Sequence, residues 1–218
     1  ASVSVAFTDL ASNDGATVTA LTAGSGVTID LTAPSLTTVT MVSSNAGDGA
    51  LANAGDTITL SITADEPITM PVVHIAGNVG TATGVGQVYA GPSYTQYTVV
   101  YTVAASEVME GNASVEVAFE DRASNDGVVV RSVTDGSVVT IDLTPPTLTS
   151  VSIVSDNNAD TARANDGDTI TLLITSSEPV MVPTVFILGQ PAVLIGTGNR
   201  VTHSSGISFQ DYNATYTV

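Results

Sequence analysis

Apolar and polar residues alternate along most of this 218-residue chain. Three segments show the pattern best, with Thr, Ser, Ala or Asp between the apolar positions: Val3, Val5 and Phe7; Val27, Ile29 and Leu31; Ile58, Leu60 and Ile62. A period of two is typical of half-buried antiparallel strands. Only residues 104–110 suit a helical turn, so the pattern predicts an all-β fold.

The chain also contains an internal repeat, because residues 1–90 recur at 113–202 with a constant offset of 112. The clearest matches are ASVSVAFTDLASNDG with ASVEVAFEDRASNDG, VTIDLTAP with VTIDLTPP, and DTITLSITADEP with DTITLLITSSEP. The offset predicts tandem units of about 112 residues, which is the size of a small β-sandwich. The chain begins in the second half of one unit and ends in the first half of another.

Seven strands are predicted in the unit that the chain contains whole. Their approximate ranges are 36–43 (A), 56–63 (B), 71–76 (C), 80–90 (D), 94–103 (E), 113–120 (F) and 128–143 (G), the last with a turn at Asp135 and Gly136 that also suits a hairpin. This number and spacing predict an immunoglobulin-like Greek-key β-sandwich. We assign residues 34–146 to the complete unit, 1–33 to strands F and G of another unit, and 147–218 to strands A to E of a third.

The composition excludes some classes of function. Four arginines and no lysine stand against 21 carboxylates, which gives a formal net charge of −17. Such a polyanion does not suit nucleic acid or anionic lipid, but it attracts cations. Without cysteine there is no disulfide or zinc–thiolate site, and no apolar run is long enough for a membrane helix. A lysine-free chain rich in Thr, Ser, Val and Gly predicts an extracellular or cell-surface protein.

The repeats resemble the bacterial immunoglobulin-like tandem repeats of large extracellular adhesins and surface fibres. The motifs that carry the resemblance are TADEPI at 63–68 and TSSEPV at 175–180, F-x-D-x-A-S-N-D-G at 7–15 and 119–127, and the junctions TIDLTAP and TIDLTPP. Members of this group usually serve as stalk modules, often stiffened by calcium between domains. The resemblance therefore implies a structural extracellular fibre or adhesin stalk with structural Ca²⁺.

Acidic loop residues should meet where two sandwiches stack end to end. Those expected at the first junction are Asp30, Asp65, Glu66, Asp121, Asn125 and Asp126, and those expected at the second are Asp142, Glu107, Glu110, Asn45, Asp48, Asp56 and Glu178. Calcium takes about six to eight oxygen ligands, so such clusters predict calcium sites. The alternative is that Asn, Asp and Gly occupy these loops only because they favour turns. Ser177 replaces Asp65 in the second copy, which argues against Asp65 as a required ligand.

No catalytic signature accompanies these acids. The two imidazoles, His74 and His203, do not recur between the repeats, and no G-x-S-x-G, H-E-x-x-H or Walker sequence is present. The sequence therefore predicts a non-enzymatic protein, whereas a pocket holding either histidine beside a carboxylate would favour an enzyme. The strand E aromatics are predicted at the core edge rather than in a sugar-stacking platform: Tyr94, Tyr97 and Tyr101, with Phe209, Tyr212 and Tyr216 in the second copy.

The two partial units are complementary halves of one sandwich. Either the repeats continue in a longer array, or separate copies join head to tail, with residues 1–33 of one completing residues 147–218 of the next. A head-to-tail contact that does not close builds an open filament. Both alternatives predict a fibre or stalk; a glycan- or protein-binding module of a surface adhesin is the second hypothesis.

Overall fold

The computed structural model describes residues 2–24, 26–89, 91–107 and 109–218, which contain strands and turns but no helix. Its strands are β1 (Leu36–Ser43), β2 (Leu51–Ala52), β3 (Thr57–Ile68), β4 (Val72–Ile75), β5 (Asn78–Val79), β6 (Thr81–Val85), β7 (Tyr94–Thr102), β8 (Gly111–Asn112), β9 (Val115–Ala118), β10 (Thr140–Ile141), β11 (Leu148–Ser155), β12 (Thr169–Val180), β13 (Phe186–Ile187), β14 (Gln190–Pro191), β15 (Val193–His203) and β16 (Gly206–Thr217). The predicted all-β class is confirmed. Across these ranges no helix long and apolar enough to cross a membrane is found.

Two antiparallel sheets of the central unit, residues 34–146, enclose one hydrophobic core. Their strand orders are β1-β3-β7-β6 and β5-β4-β9. The alternating apolar residues of β3 are the buried ones, because Ile58 and Leu60 are 0% exposed and Ile62 is 2% exposed. Val73 of β4 and Val117 of β9 pack into the same core from the other sheet. Two sheets that share a core in this way are consistent with a β-sandwich.

The segment predicted as strand G does not form one continuous strand. Val130 pairs with Val117 of β9, but Thr134 bonds to the edge of β1 in the other sheet. There the Thr134 N–H donates to the Val39 carbonyl at 2.8 Å, and the Val39 N–H donates to Thr134 Oγ1 at 2.9 Å. After a turn at Gly136, strand β10 runs parallel to β2 and antiparallel to β8. The segment therefore crosses from one sheet to the other and closes the side of the core.

Residues 147–218, here called the tail, repeat the first sheet of the central unit. Their sheet has the order β11-β12-β16-β15, and Val151 pairs with Ile174 as Val39 pairs with Ile62. The apolar face is nevertheless open: Val151 is 53% exposed, whereas Val39 is 0% exposed. Of the two strands that cover this face in the central unit, the tail contains the counterpart of β4, at β13, where Ile187 is 5% exposed, but no described segment takes the place of β9.

Residues 2–24 and 26–33, here called the head, reproduce the hairpin that follows β9. The bridges Val5–Val18 and Thr8–Asp14 correspond, at the offset of 112, to Val117–Val130 and Glu120–Asp126. In the head the apolar side chains of this hairpin face solvent, with Phe7 55% exposed against 6% for Phe119. The same local structure is thus present with and without a sheet to cover.

The two hairpins offer a matched pair of stability variants at Gly127 and Gly15. A Cβ at Gly127 would lie 2.2 Å from Cε2 of Phe119, whose ring is held in the core. We expect Gly127→Ala to lower the free energy of unfolding by about 1–3 kcal/mol, the usual cost of overpacking. A Cβ at Gly15 would lie 2.1 Å from Cε2 of Phe7, but this exposed ring can move aside, so we expect less than about 0.5 kcal/mol. Urea unfolding in dilute solution measures both, and equal losses would contradict the assignment of Phe119 to a packed core.

Candidate metal site

Three carboxylates from separate segments meet where the head joins the central unit. Asp30 precedes the linker at Pro34, Glu66 lies near the end of β3, and Asp121 follows β9. One oxygen of each lies within 4.8 Å of the others, and within the described ranges no other group of three potential metal ligands is this close. All three were predicted for the first junction. They form the carboxylate cluster of the following paragraphs.

Asp121 is fixed by the turn that it begins. Its Oδ1 accepts hydrogen bonds from the backbone N–H groups of Ala123 at 2.7 Å and Asn125 at 2.8 Å, and its Oδ2 accepts one from Asn125 Nδ2 at 2.7 Å. Asn125 Nδ2 also donates to the backbone carbonyl of Asp30 at 3.3 Å. Ser124 has a positive φ of 65°, a strained conformation that these bonds stabilise. Asn125 therefore connects the loop to the linker segment, and its amide nitrogen makes both contacts.

Asp65 points to a different partner. Its carboxylate accepts the Ser35 N–H at 2.9 Å and the Ser35 hydroxyl at 2.7 Å, so it ties the linker to β3 instead of joining the cluster. In the tail Ser177 does the same for Thr147, accepting its N–H at 3.0 Å. A hydroxyl can accept this bond as a carboxylate does, which explains why the repeat tolerates Ser in place of Asp. Sequence reasoning missed Ser35, although its place directly after Pro34 was a usable signal.

The cluster has unequal proton affinities. Burial raises the pKa of Glu66, and the negative charges of Asp30, Asp121 and Asp65 raise it further. Burial alone would raise the pKa of Asp121, but the hydrogen bonds from Asn125, Ala123 and Ser124 lower it overall. The pKa of Asp65 is lowered by its bonds from Ser35. A cation placed among these oxygens would relieve the repulsion that raises the pKa of Glu66.

The remaining first-junction prediction, Asp126, lies outside the cluster. Its backbone forms the bridge to Glu120, and the residue is exposed. The cluster thus brings together three predicted carboxylates with Asn125 beside them. Its donors are hard oxygens, as Ca²⁺ prefers, but three side chains supply only part of a shell of about six to eight ligands. Water or backbone carbonyls would have to complete it.

The second predicted junction does not form a comparable group within the described ranges. Glu107 accepts hydrogen bonds from the Tyr101 hydroxyl and from Asn78 Nδ2. Glu110 accepts the N–H of Leu143 at 3.0 Å, and Asn45 Nδ2 donates to Asp56 at 2.7 Å. These residues therefore stabilise turns and strand ends, as the alternative interpretation of the loop acids proposes.

A cleft of about 910 Å³ separates the central unit from the tail. Its lining includes Asn45, Asp48, Asp142, Glu178 and His203. His203 Nδ1 lies 3.8 Å from Asp48 Oδ2, and His203 Nε2 lies 2.6 Å from the hydroxyl of Ser208. The Ser204 hydroxyl donates to the Gly47 carbonyl at 3.0 Å, so the same turn contacts the central unit.

The chain matches no protein-family model and no curated protein.

Glu66→Gln should stabilise the protein at neutral pH when divalent cations are removed. Because the folded-state pKa of Glu66 is raised, the folded protein holds that proton more tightly than the unfolded chain, and ionised Glu66 opposes folding above this pKa. The stabilisation by the variant should therefore be full above the raised pKa of Glu66, shrink as the pH falls through that pKa, and be nearly absent below the ordinary range of a glutamate. Urea midpoints at pH 7 and pH 3.5 in chelator measure it. Glu178→Gln, the same change at the repeat-equivalent position, is the control and should show no such pH-dependent gain.

Proposed function

We propose that the protein is a non-enzymatic structural element of an extracellular fibre or adhesin stalk. Its immunoglobulin-like repeats join head to tail, and calcium at the repeat junctions stiffens the rod. The observation that carries the proposal is the carboxylate cluster at the one junction where both neighbouring elements are present. A cluster built from a linker segment, the end of β3 and the loop after β9 would restrain the junction once a cation neutralises it.

The strand order supports the immunoglobulin-like part of the proposal. The order β1-β3-β7-β6 corresponds to strands A, B, E and D of such a domain, and β4-β9 with the Val130 pairing corresponds to C, F and G. The parallel pairing of β2 with β10 joins the beginning of the unit to its last strand. The repeat of β1-β3-β7-β6 as β11-β12-β16-β15 supports tandem units.

The junctions support a stiff stalk rather than a flexible string. Pro34 and the pair Pro145-Pro146 restrict the linkers, and the bonds of Ser35 to Asp65 and of Thr147 to Ser177 tie each linker to the next sheet. The net charge of −17 favours cation binding along the rod. An extracellular location fits this function, because calcium concentrations there suit weak, partly hydrated sites.

The buried strand E aromatics do not support the glycan-binding alternative. Tyr97, Tyr101 and Tyr212 are 2%, 9% and 1% exposed, so these aromatics serve the core and offer no stacking platform. The burial of these three agrees with the prediction for the strand E aromatics, whereas Tyr94, Phe209 and Tyr216 are half-buried. Loop tips remain for recognition of a glycan or a partner protein.

The cleft supplies the observation that favours a catalytic alternative, since it places a histidine between a carboxylate and a serine. The geometry is unsuited to nucleophilic catalysis, because the Asp48–His203 separation exceeds a hydrogen bond and Ser208 is 1% exposed. We interpret the three residues as a polar contact that holds the β15–β16 turn against the loop at 45–49.

Calcium binding tests the main proposal. We expect the chain to bind calcium in calorimetric titration and to melt at a higher temperature in calcium than in chelator, by mass action. Asp30→Asn and Glu66→Gln should each weaken binding by at least about 10-fold, because each removes a charged ligand. Asp142→Asn and Glu178→Gln are matched controls at the repeat-equivalent positions and should bind as the parent chain does in dilute solution. Identical melting in calcium and chelator would remove calcium from the proposal.

Ester hydrolysis tests the catalytic alternative. We expect p-nitrophenyl acetate to be hydrolysed no faster with the protein than with free imidazole at equal concentration, since the Ser208 hydroxyl is buried. Ser208→Ala and His203→Ala should therefore leave the rate unchanged. A rate above this background that both variants abolish would favour an enzyme.

A further inference from the structure

We propose that the open apolar face of the tail is a docking site for the head of a second copy of this chain. The inference rests on the proposed function and names the partner that joins one repeat to the next. The head residues would cover β11, β12 and β16 as residues 113–143 cover β1, β3 and β7 in the central unit. The central unit thus supplies the geometry of the contact.

The covering side chains are the same in both copies. In the central unit Val115, Val117, Phe119, Val139 and Ile141 are at most 6% exposed. Their counterparts at the offset of 112 are Val3, Val5, Phe7, Val27 and Ile29, which are identical in type and between 36% and 68% exposed. The head therefore presents to the tail the same five apolar side chains, at the same spacing, that cover the sheet of the central unit.

The receiving surface is conserved within the chain as well. Val151 and Ile153 on β11 stand where Val39 and Met41 stand on β1, and they are 53% and 63% exposed against 0% and 7%. Ile174, already 7% exposed, corresponds to Ile62 on the neighbouring strand. Burying such residues would stabilise the contact, because it removes apolar surface from water.

Backbone groups complete the match. In the central unit Thr134 exchanges two hydrogen bonds with Val39 at the edge of β1, at 2.8 and 2.9 Å. Thr22 occupies the position of Thr134 in the head, and Val151 occupies the position of Val39 in the tail. A docked head can therefore bond the edge of β11 by the same pair of contacts. Exposed strand edges accept an added segment readily.

The same placement carries Asp9 of the second copy to the position of Asp121. Asp9 already forms a turn equivalent to that of Asp121, because its carboxylate accepts the N–H groups of Ala11 and Asn13 at 2.8 Å each. Docking would bring it beside Asp142 and Glu178, the counterparts of Asp30 and Glu66. The second junction then repeats the first.

Paired variants of the full chain test the proposal by sedimentation. The parent chain should form head-to-tail oligomers that lengthen with concentration, because the contact is heterologous. Phe7→Asp spoils the head and Ile153→Asp spoils the tail, and each should weaken self-association by at least about 100-fold by burying a charge. An equimolar mixture of the two variants retains one intact head and one intact tail, so it should form dimers of twice 22.0 kDa and nothing larger.

Substitution of an apolar residue by Asp at two exposed positions outside the proposed contact serves as the control. Leu10 is 108% exposed and its counterpart is Arg122, while Val154 lies on the outer face of β11 like the 53% exposed Val42 of β1. Leu10→Asp and Val154→Asp should oligomerise as the parent chain does. A parent chain that stays monomeric, a closed monomer whose own head covers its tail, a mixture without dimers, or oligomers unaffected by Phe7→Asp would each overturn the proposal.

Sedimentation in calcium and in chelator distinguishes a failure of this inference from a failure of the proposed function. Oligomers that form equally in calcium and in chelator would support strand docking and remove calcium from the junction. Calcium binding by a strictly monomeric chain would leave the stalk proposal in place and overturn docking between copies.

Discussion

The core of the central unit depends on covering the apolar face of a four-stranded sheet. The face formed by β1, β3 and β7 is stable in water because β4 and residues 113–143 lie over it, with Val73, Val117 and Phe119 exposed by 6% or less. Apolar burial is the main favourable term in folding, so a sheet without its cover loses most of its support. The tail has the sheet and the counterpart of β4, and the head has the counterparts of residues 113–143.

The cover also builds the carboxylate cluster. Asp121 follows Phe119 by two residues. The turn after β9 that places Phe119 in the core therefore also places Asp121 beside Glu66. Asp30 comes from the segment of the head that precedes Pro34. Core packing and junction chemistry are therefore coupled, and a repeat that lacks its cover lacks one acid of its cluster.

The alternation of apolar residues predicted the strands well where both faces of a strand have regular neighbours. The range predicted for strand A coincides with β1 (Leu36–Ser43). The range predicted for strand B, 56–63, begins one residue before β3 (Thr57–Ile68) and ends five residues before its end. The alternation predicted strand G poorly. At the edge of β1, the N–H groups of Val39 and Met41 donate to the side-chain hydroxyls of Thr134 and Ser137 and not to the backbone carbonyls of a neighbouring strand. Hydroxyl residues also alternate on exposed strand faces, so the sequence alone does not distinguish the two uses.

The same distinction applies to the acids. Asp30, Glu66 and Asp121 meet as predicted, whereas Glu107 is held by Tyr101 and Asn78, contacts between distant segments that spacing does not reveal.

The charge state of the junction depends on the contrast between Glu66 and Asp121. Burial would raise the pKa of Asp121, but hydrogen bonds from its own turn lower it overall and so favour the ionised form. Glu66 has no such support: burial and its acidic neighbours raise its pKa, so a proton and a cation compete to relieve it. Asp121 therefore provides the fixed charge of the cluster and Glu66 the adjustable one. If calcium binds here as proposed, it would replace the repulsion between the two carboxylates with their attraction to a shared cation, and this would stiffen the junction.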